Sequence, residues 1–240
     1  MRIAAGLHRI GGGMVNSYLV EEAGAITIID TGAPGHWNEL QTELAAIGRS
    51  LADVRAVALT HAHIDHVGFA ERIRRQRAVP VSVHEADAKM ARGEERPRNQ
   101  RILGISPFGL LTFIVYALAH GMLRATPIVE VATFGDGATL DMPGAPRVVH
   151  VPGHSPGSAV LHVPAKDALF VGDALCTLNV LTGRRGPQLT PFGSDLPQAV
   201  ASLARLDRIE ASLVLPGHGE PWTGGVREAV RLVTENAPSR

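Results

Sequence analysis

Short apolar runs alternate with polar, glycine- and proline-rich stretches along the whole chain. Residues 15–20, 25–30, 54–60, 79–83, 147–151, 158–163, 168–173 and 212–217 are rich in Val and Ile and bounded by Gly, Pro or Asp. Each run predicts a strand. Helical spacing appears at Leu40, Leu44 and Ile47. It returns at Ala199, Leu203 and Leu206, after a Ser-Asp-Leu-Pro stretch that offers a cap and an early-turn proline. A last helix is expected over 225–235, and the basic stretch 71–77 reads as a solvated helix face. Helices fall between groups of strands. That order predicts an α/β (α+β) fold with helices sandwiching sheets rather than an all-β protein.

One segment departs from this rhythm. Residues 85–101 are highly charged, whereas 102–123 contain no Asp, Glu, Lys or Arg. The apolar stretch is long enough to span a bilayer. Gly104, Pro107 and Gly109 interrupt it, however, and ligand-type residues that must converge lie on both sides of it in sequence. A membrane crossing is therefore set aside. Three readings remain: a buried helical pair, an apolar lid presenting Phe108, Phe113 and Tyr116 to a substrate, or a contact with a membrane surface or a second copy of the chain. The expectation is one domain over 1–240 with a helical insert at 85–125.

Composition narrows the choice of function. Lys plus Arg and Asp plus Glu number 23 each, so no net field favours nucleic acid. An apolar fraction of 45% supports a sizeable core. Cys176 is the only cysteine, which fits a reducing compartment and a cytoplasmic location. The first two dozen residues lack an uninterrupted apolar core with a cleavage site, so no signal peptide is expected. The 11 histidines are many for 240 residues.

Four ligand-type residues crowd one short stretch: His61, His63, Asp65 and His66. At a strand end, residues two apart point the same way, so His61 and His63 can aim at one point. Asp65 and His66 follow in the next turn. Three further candidates, His154, Asp173 and His218, each end a strand-like run beside a glycine. Imidazole and carboxylate suit zinc, with iron or manganese as alternatives. A closed structural zinc takes four ligands, often cysteines. Seven ligands without cysteine read as two open, catalytic sites. His8, His36, His84, His120, His150 and His162 lack such spacing and read as packing or surface residues. Cys176 reads as a small buried thiol.

These residues resemble the metallo-β-lactamase superfamily, whose pattern is HxHxDH followed by His, Asp and His. All seven positions are present in order, and the resemblance runs through nearly the whole chain. It implies a four-layer αββα sandwich with the site at one edge between two sheets. It also implies two Zn²⁺ ions. His61, His63 and His154 would hold the first and Asp65, His66 and His218 the second, with Asp173 bridging them. A hydroxide between the metals would attack the substrate, and Asp65 would in addition accept or pass a proton. Asp30 either orients a ligand histidine from behind or caps the turn that follows it.

The resemblance also bears on substrate. The commonest true β-lactamases place a cysteine where Asp173 stands. The single-iron dioxygenases that look like glyoxalase II do not need the full second ligand set. Glyoxalase II carries a C-terminal helical domain, and none is expected after His218. The tyrosine of the acyl-homoserine lactonases is missing from 174–183, leaving only Tyr18 and Tyr116. The expected activity is hydrolysis of an ester-like bond (carboxylic ester, lactone or thioester) in a small molecule with an apolar part. A phosphodiesterase, a mononuclear iron enzyme and a non-catalytic metal-binding module are the alternatives. No nucleic-acid partner is expected, and the insert offers a surface for a homodimer.

Overall fold

Alternation along single strands decides the architecture. A computed structural model describes residues 1–97 and 101–237; residues 98–100 of the charged stretch and the last three lie outside the described part. The first sheet contains β1 (Arg2–Ala4), β2 (Leu7–Ile10), β3 (Ser17–Glu22), β4 (Ala25–Ile29), β5 (Val54–Ala58) and β6 (Val81–His84). After a short β7 (Arg101–Ile102) it is completed by β8 (Ala132–Phe134), in the order β1-β2-β3-β4-β5-β6-β8. The second sheet contains β9 (Arg147–His150), β10 (Ala159–Val163) and β11 (Ala168–Gly172). Beyond β12 (Cys176–Leu178), β13 (Arg185–Gln188) and β14 (Phe192–Gly193), it ends with β15 (Leu213–Pro216), in the order β15-β11-β10-β9. The helices are α1 (His36–Ala46), α2 (Ala70–Arg77), α3 (Ala88–Ala91), α4 (Pro107–Ala119), α5 (Leu196–Ser202) and α6 (Val226–Glu235).

Successive strand residues face opposite ways, and the buried ones divide accordingly. Leu19, Ile28 and Val57 pack with Trp37, Leu40 and Leu44 of α1 and Ile73 of α2. Their neighbours Tyr18, Val20, Ile29 and Ala58 face the second sheet, against Leu161, Phe170 and Leu215. On the far side, Val160, Leu169 and Val214 pack with Leu203 and with Val226, Val230 and Val233 of α6. The layers are therefore helix, sheet, sheet, helix. Burying each large aliphatic side chain contributes about 1.5–3 kcal/mol, so shifting one strand by a residue would forfeit several such contributions at once.

Strand direction brings the ligand-type residues to one edge. β4 and β5 are parallel, as are β11 and β15, while β9 and β11 each run antiparallel to β10. The carboxyl ends of β9, β11 and β15 thus emerge at the same end of the second sheet. The Ala159 N–H donates to Thr60 O at 2.8 Å, which joins this edge to the end of β5.

All eight expected strands are present, with ends displaced by up to two residues. The short β1, β2, β7, β8, β12, β13 and β14 carry too little pattern to be read. The insert differs from the buried helical pair among the three readings. Its apolar part, 102–123, forms a single α-helix, α4, capped by Ser106, whose Oγ accepts from the Gly109 N–H at 3.0 Å. Gly109, Phe113, Tyr116, Ala117 and His120 form a partly covered stripe toward the body, whereas Leu111, Val115 and Leu118 face solvent. Phe108 is 80% exposed and turned outward, so it does not share that stripe with Phe113 and Tyr116. Among the described residues no helix is long and apolar enough to cross a membrane. The expected solvated face of 71–77 is amphipathic instead: Glu71 and Ile73 are buried, and Arg72, Arg75 and Arg77 are exposed.

Candidate metal centre

The seven ligand-type residues converge at the edge between the sheets. The loop after β5 carries His61, His63, Asp65 and His66, and the loops after β9, β11 and β15 carry His154, Asp173 and His218. Six of them are buried, and Asp65 is partly exposed at the mouth. Three overlapping groups each bring their ligand atoms within 4.8 Å of one another: His61, His63 and His154; His61, His66 and Asp173; and Asp65, His66 and His218. Asp173 lies between the two ends. Its Oδ1 is 3.4 Å from His66 Nε2, and its Oδ2 is 3.4 Å from His154 Nε2 and 3.2 Å from His218 Nε2.

Hydrogen bonds behind the rings decide which nitrogens face inward as lone pairs. A carbonyl can only accept, so a ring nitrogen bound to one carries the proton. His154 Nδ1 therefore donates to Phe192 O at 2.8 Å, and His218 Nδ1 to Met14 O at 2.5 Å. His66 Nδ1 donates to the Asp30 carboxylate at 2.9 Å. The Thr60 hydroxyl gives its proton to Asp30 Oδ2 at 2.7 Å, so its oxygen accepts from His61 Nδ1 at 3.1 Å. In its neutral form each of these four rings thus keeps its lone pair on Nε2, directed into the cluster. Asp30 does this work as a left-handed residue (φ 56°) just past β4, fully committed by a third bond from the Thr60 N–H at 2.8 Å.

These bare nitrogens crowd one another. His154 Nε2 lies 3.1 Å from His61 Nε2 and 2.8 Å from His63 Nδ1, and His66 Nε2 and Asp173 Oδ1 are buried without hydrogen-bond partners. Two Nε2 lone pairs facing each other at 3.1 Å, as on His154 and His61, repel unless a cation sits among them, so the residues fit a metal. The electrostatics agree. Burial, with the neighbouring imidazoles, keeps His61 well below its ordinary pKa. Burial likewise brings His154 down to about 4. At the other end burial opposes charge, but the Asp173 carboxylate prevails and raises His218 to about 8. Asp30 and Asp173 raise His66 in the same way. That end calls for positive charge. Gly217 makes the close approach possible, since a Cβ there would meet Asp173 Oδ1 and His66 Cε1 at 2.5 Å.

Several supports were not legible in the sequence. Asp87 is wholly buried and accepts from Ala62 N at 3.1 Å, Ser155 Oγ at 2.7 Å and Gly157 N at 2.6 Å, tying the His61–His63 loop to the His154 loop. Thr190 and Phe192, in a stretch between β13 and α5 with no motif, hold His154. Met14 contributes only its carbonyl. Tyr18 is buried, and its hydroxyl donates to Pro216 O at 2.7 Å. Cys176 is a buried free thiol.

A helix–sheet–sheet–helix sandwich with such a cluster at its edge defines a metallo-hydrolase class, and comparison with known proteins agrees. The metallo-beta-lactamase superfamily model matches residues 10–218. The chain belongs to that superfamily. It is similar to the probable metallo-hydrolase YflN of Bacillus subtilis (26% identical over 239 residues, 92% of this chain and 86% of the relative). It is also similar to the uncharacterized protein Rv2581c of Mycobacterium tuberculosis (32% over 180 residues, 71% of each). Among solved structures, the metallo-beta-lactamase family protein TTHA1429 from Thermus thermophilus aligns with a TM-score of 0.70 at 24% identity, covering 97% of this chain and 79% of that one. TTHA1623 in a di-iron-bound form aligns with a TM-score of 0.59 at 28% identity, covering 92% and 96%. The superfamily fold and the His/Asp cluster together imply a metal cofactor.

Proposed function

We propose that this chain is a dinuclear metal-dependent hydrolase of ester-like bonds in small molecules with an apolar part. The observation that carries the reading is the inward lone-pair cluster with Asp173 between its two ends. His61, His63 and His154 would hold one cation, Asp65, His66 and His218 the other, and Asp173 would touch both. Two divalent cations in such a site supply an acidified water and stabilise negative charge on the reacting oxygens. The chain's own residues do the rest. Asp30 and Thr60 fix the ring tautomers. Asp65, partly exposed, would take a proton from the incoming water and return it to the departing oxygen or sulfur. Ile64 is 47% exposed in the same loop, and Phe113 lies against Phe192 with ring centroids 6.3 Å apart. Each offers apolar surface that an acyl or aromatic group would use. Zinc is the first assignment. The di-iron form of TTHA1623 is the observation that keeps iron as a second.

The test is a panel of p-nitrophenyl esters of rising chain length, lactones, a thioester and bis-p-nitrophenyl phosphate, assayed on protein stripped and reloaded with zinc or iron. Hydrolysis that returns with metal and favours longer acyl chains or lactones is expected. Turnover of the phosphodiester alone would move the assignment to phosphodiesterase. Inertness toward the whole panel with every metal would refute hydrolysis.

A further inference from the structure

The start of α1 and the end of α4 meet at a second group of ligand-type side chains, apart from the cluster above. His36 opens α1, Glu39 follows at i+3 on the same face, and His120 caps α4. One ring nitrogen from each histidine and one Glu39 carboxylate oxygen lie within 4.8 Å of one another. Tyr116 joins them: its hydroxyl is 2.6 Å from His36 Nε2, and its ring stacks on His120 with centroids 3.9 Å apart.

Several features prepare this group for a cation. His120 Nδ1 donates to the Tyr116 carbonyl at 2.9 Å, so its Nε2 is left bare. His36 is wholly buried, and its Nδ1 has no hydrogen-bond partner. No neighbour therefore fixes its tautomer. Burial holds its pKa down to about 4 against the pull of Glu39, so the ring is neutral near pH 7 and no proton need leave. Glu39 gives Oε2 to the Gly11 N–H at 3.0 Å, which anchors the carboxylate without using Oε1. Packing alone accounts for the Tyr116–His36 hydrogen bond. It does not account for a carboxylate and a second bare imidazole converging on a buried histidine whose Nδ1 has no partner.

We propose that His36, Glu39 and His120, with the Tyr116 hydroxyl beside them, bind a divalent cation of the zinc type. Two imidazoles and one carboxylate are a zinc donor set. The ion would staple the insert helix to the body, reinforcing the backbone bond from Gly35 N to His120 O at 2.9 Å. Occupancy would then set how firmly α4 is held.

The experiment counts bound zinc per chain by mass spectrometry after chelator stripping, zinc reloading and dialysis. It compares the parent with Glu39→Gln and His120→Ala, both in the wild-type chain and in a His61→Ala/His63→Ala background. Glu39→Gln keeps an acceptor for the Gly11 N–H at an exposed position, so it reports on the ion without unfolding the chain. Each variant is expected to hold one ion fewer than its parent in both backgrounds. Zinc should also slow protease cleavage of the insert about tenfold in the parent and leave Glu39→Gln unprotected. Equal zinc in parent and Glu39→Gln, in both backgrounds, would overturn the proposal. The count is taken as a difference, so it stands whether or not the main cluster is catalytic.

Discussion

Asp30→Asn changes one atom type and should disable half of the main cluster. The native carboxylate accepts from the Thr60 N–H, the Thr60 hydroxyl and His66 Nδ1 at 2.8, 2.7 and 2.9 Å. The amide keeps one oxygen, which still serves the Thr60 N–H. Its NH2 then faces His66 Nδ1 and the Thr60 hydroxyl. Two donors cannot share that contact, so His66 must move its proton to Nε2 and lose the lone pair it directs inward. A misdirected ligand of this kind weakens metal binding about 10–100-fold. The loss should be largest at the Asp65, His66 and His218 end; His61, held only indirectly through the Thr60 hydroxyl, should weaken less. Two charge-assisted bonds, each about 1.5–3 kcal/mol, are lost, partly offset by removing a buried charge, for a net of about 3 kcal/mol. At this chain length that lowers the melting temperature by about 6–12 °C. Chelator-competition titration reads the affinities, and long-range ¹H–¹⁵N NMR of the imidazoles reads the His66 tautomer. A variant that binds two ions with parental affinity, or keeps the proton on His66 Nδ1, would refute the reasoning.

Asp87→Ala leaves three donors unmatched and frees the His61–His63 loop from the His154 loop, so it should weaken the opposite, all-histidine end about tenfold or more, read by the same titration. Gly217→Ala drives a methyl into Asp173 Oδ1 and His66, costing about 1–3 kcal/mol and lowering metal affinity; calorimetry and metal counting check both. Stripping the metals with chelator should lower the melting temperature by about 5–10 °C for each site held at 100 times its dissociation constant, reversed by zinc. Away from the metals, burial and the stacked His150 ring, 4.0 Å away, hold His84 below its ordinary pKa, opposed by Glu85, Asp87 and Asp136. The neutral ring therefore adds stability that is complete above the unfolded value of about 6.5 and lost as pH falls through the lower folded value. His84→Gln should flatten the decline of melting temperature below pH 6.5, and an unchanged slope would contradict this.

Much of the fold and main cluster was legible in the sequence because each carries a periodic or closely spaced signal. Alternation at Leu19–Val20 or Leu169–Phe170 marks a strand covered on both faces, and HxHxDH packs four ligand-type residues into six positions. Residues that act through a backbone carbonyl, such as Met14 and Phe192, leave no mark in side-chain type. Asp87 reads as one acid among many in a charged stretch until the fold carries it to Ser155. His36 and His120 read as ordinary because they stand 84 positions apart, and only the return of α4 brings them together. The insert's apolar composition was evident, but composition alone could not say which face would be covered.

The central claim is that the main cluster makes a two-metal hydrolase. The most direct test is the rate of ester or lactone hydrolysis by stripped Glu39→Gln protein as zinc is added, so that only the main cluster fills. The account predicts little activity at the first equivalent and a plateau at two. Full activity at one equivalent, or none at any loading, would contradict it.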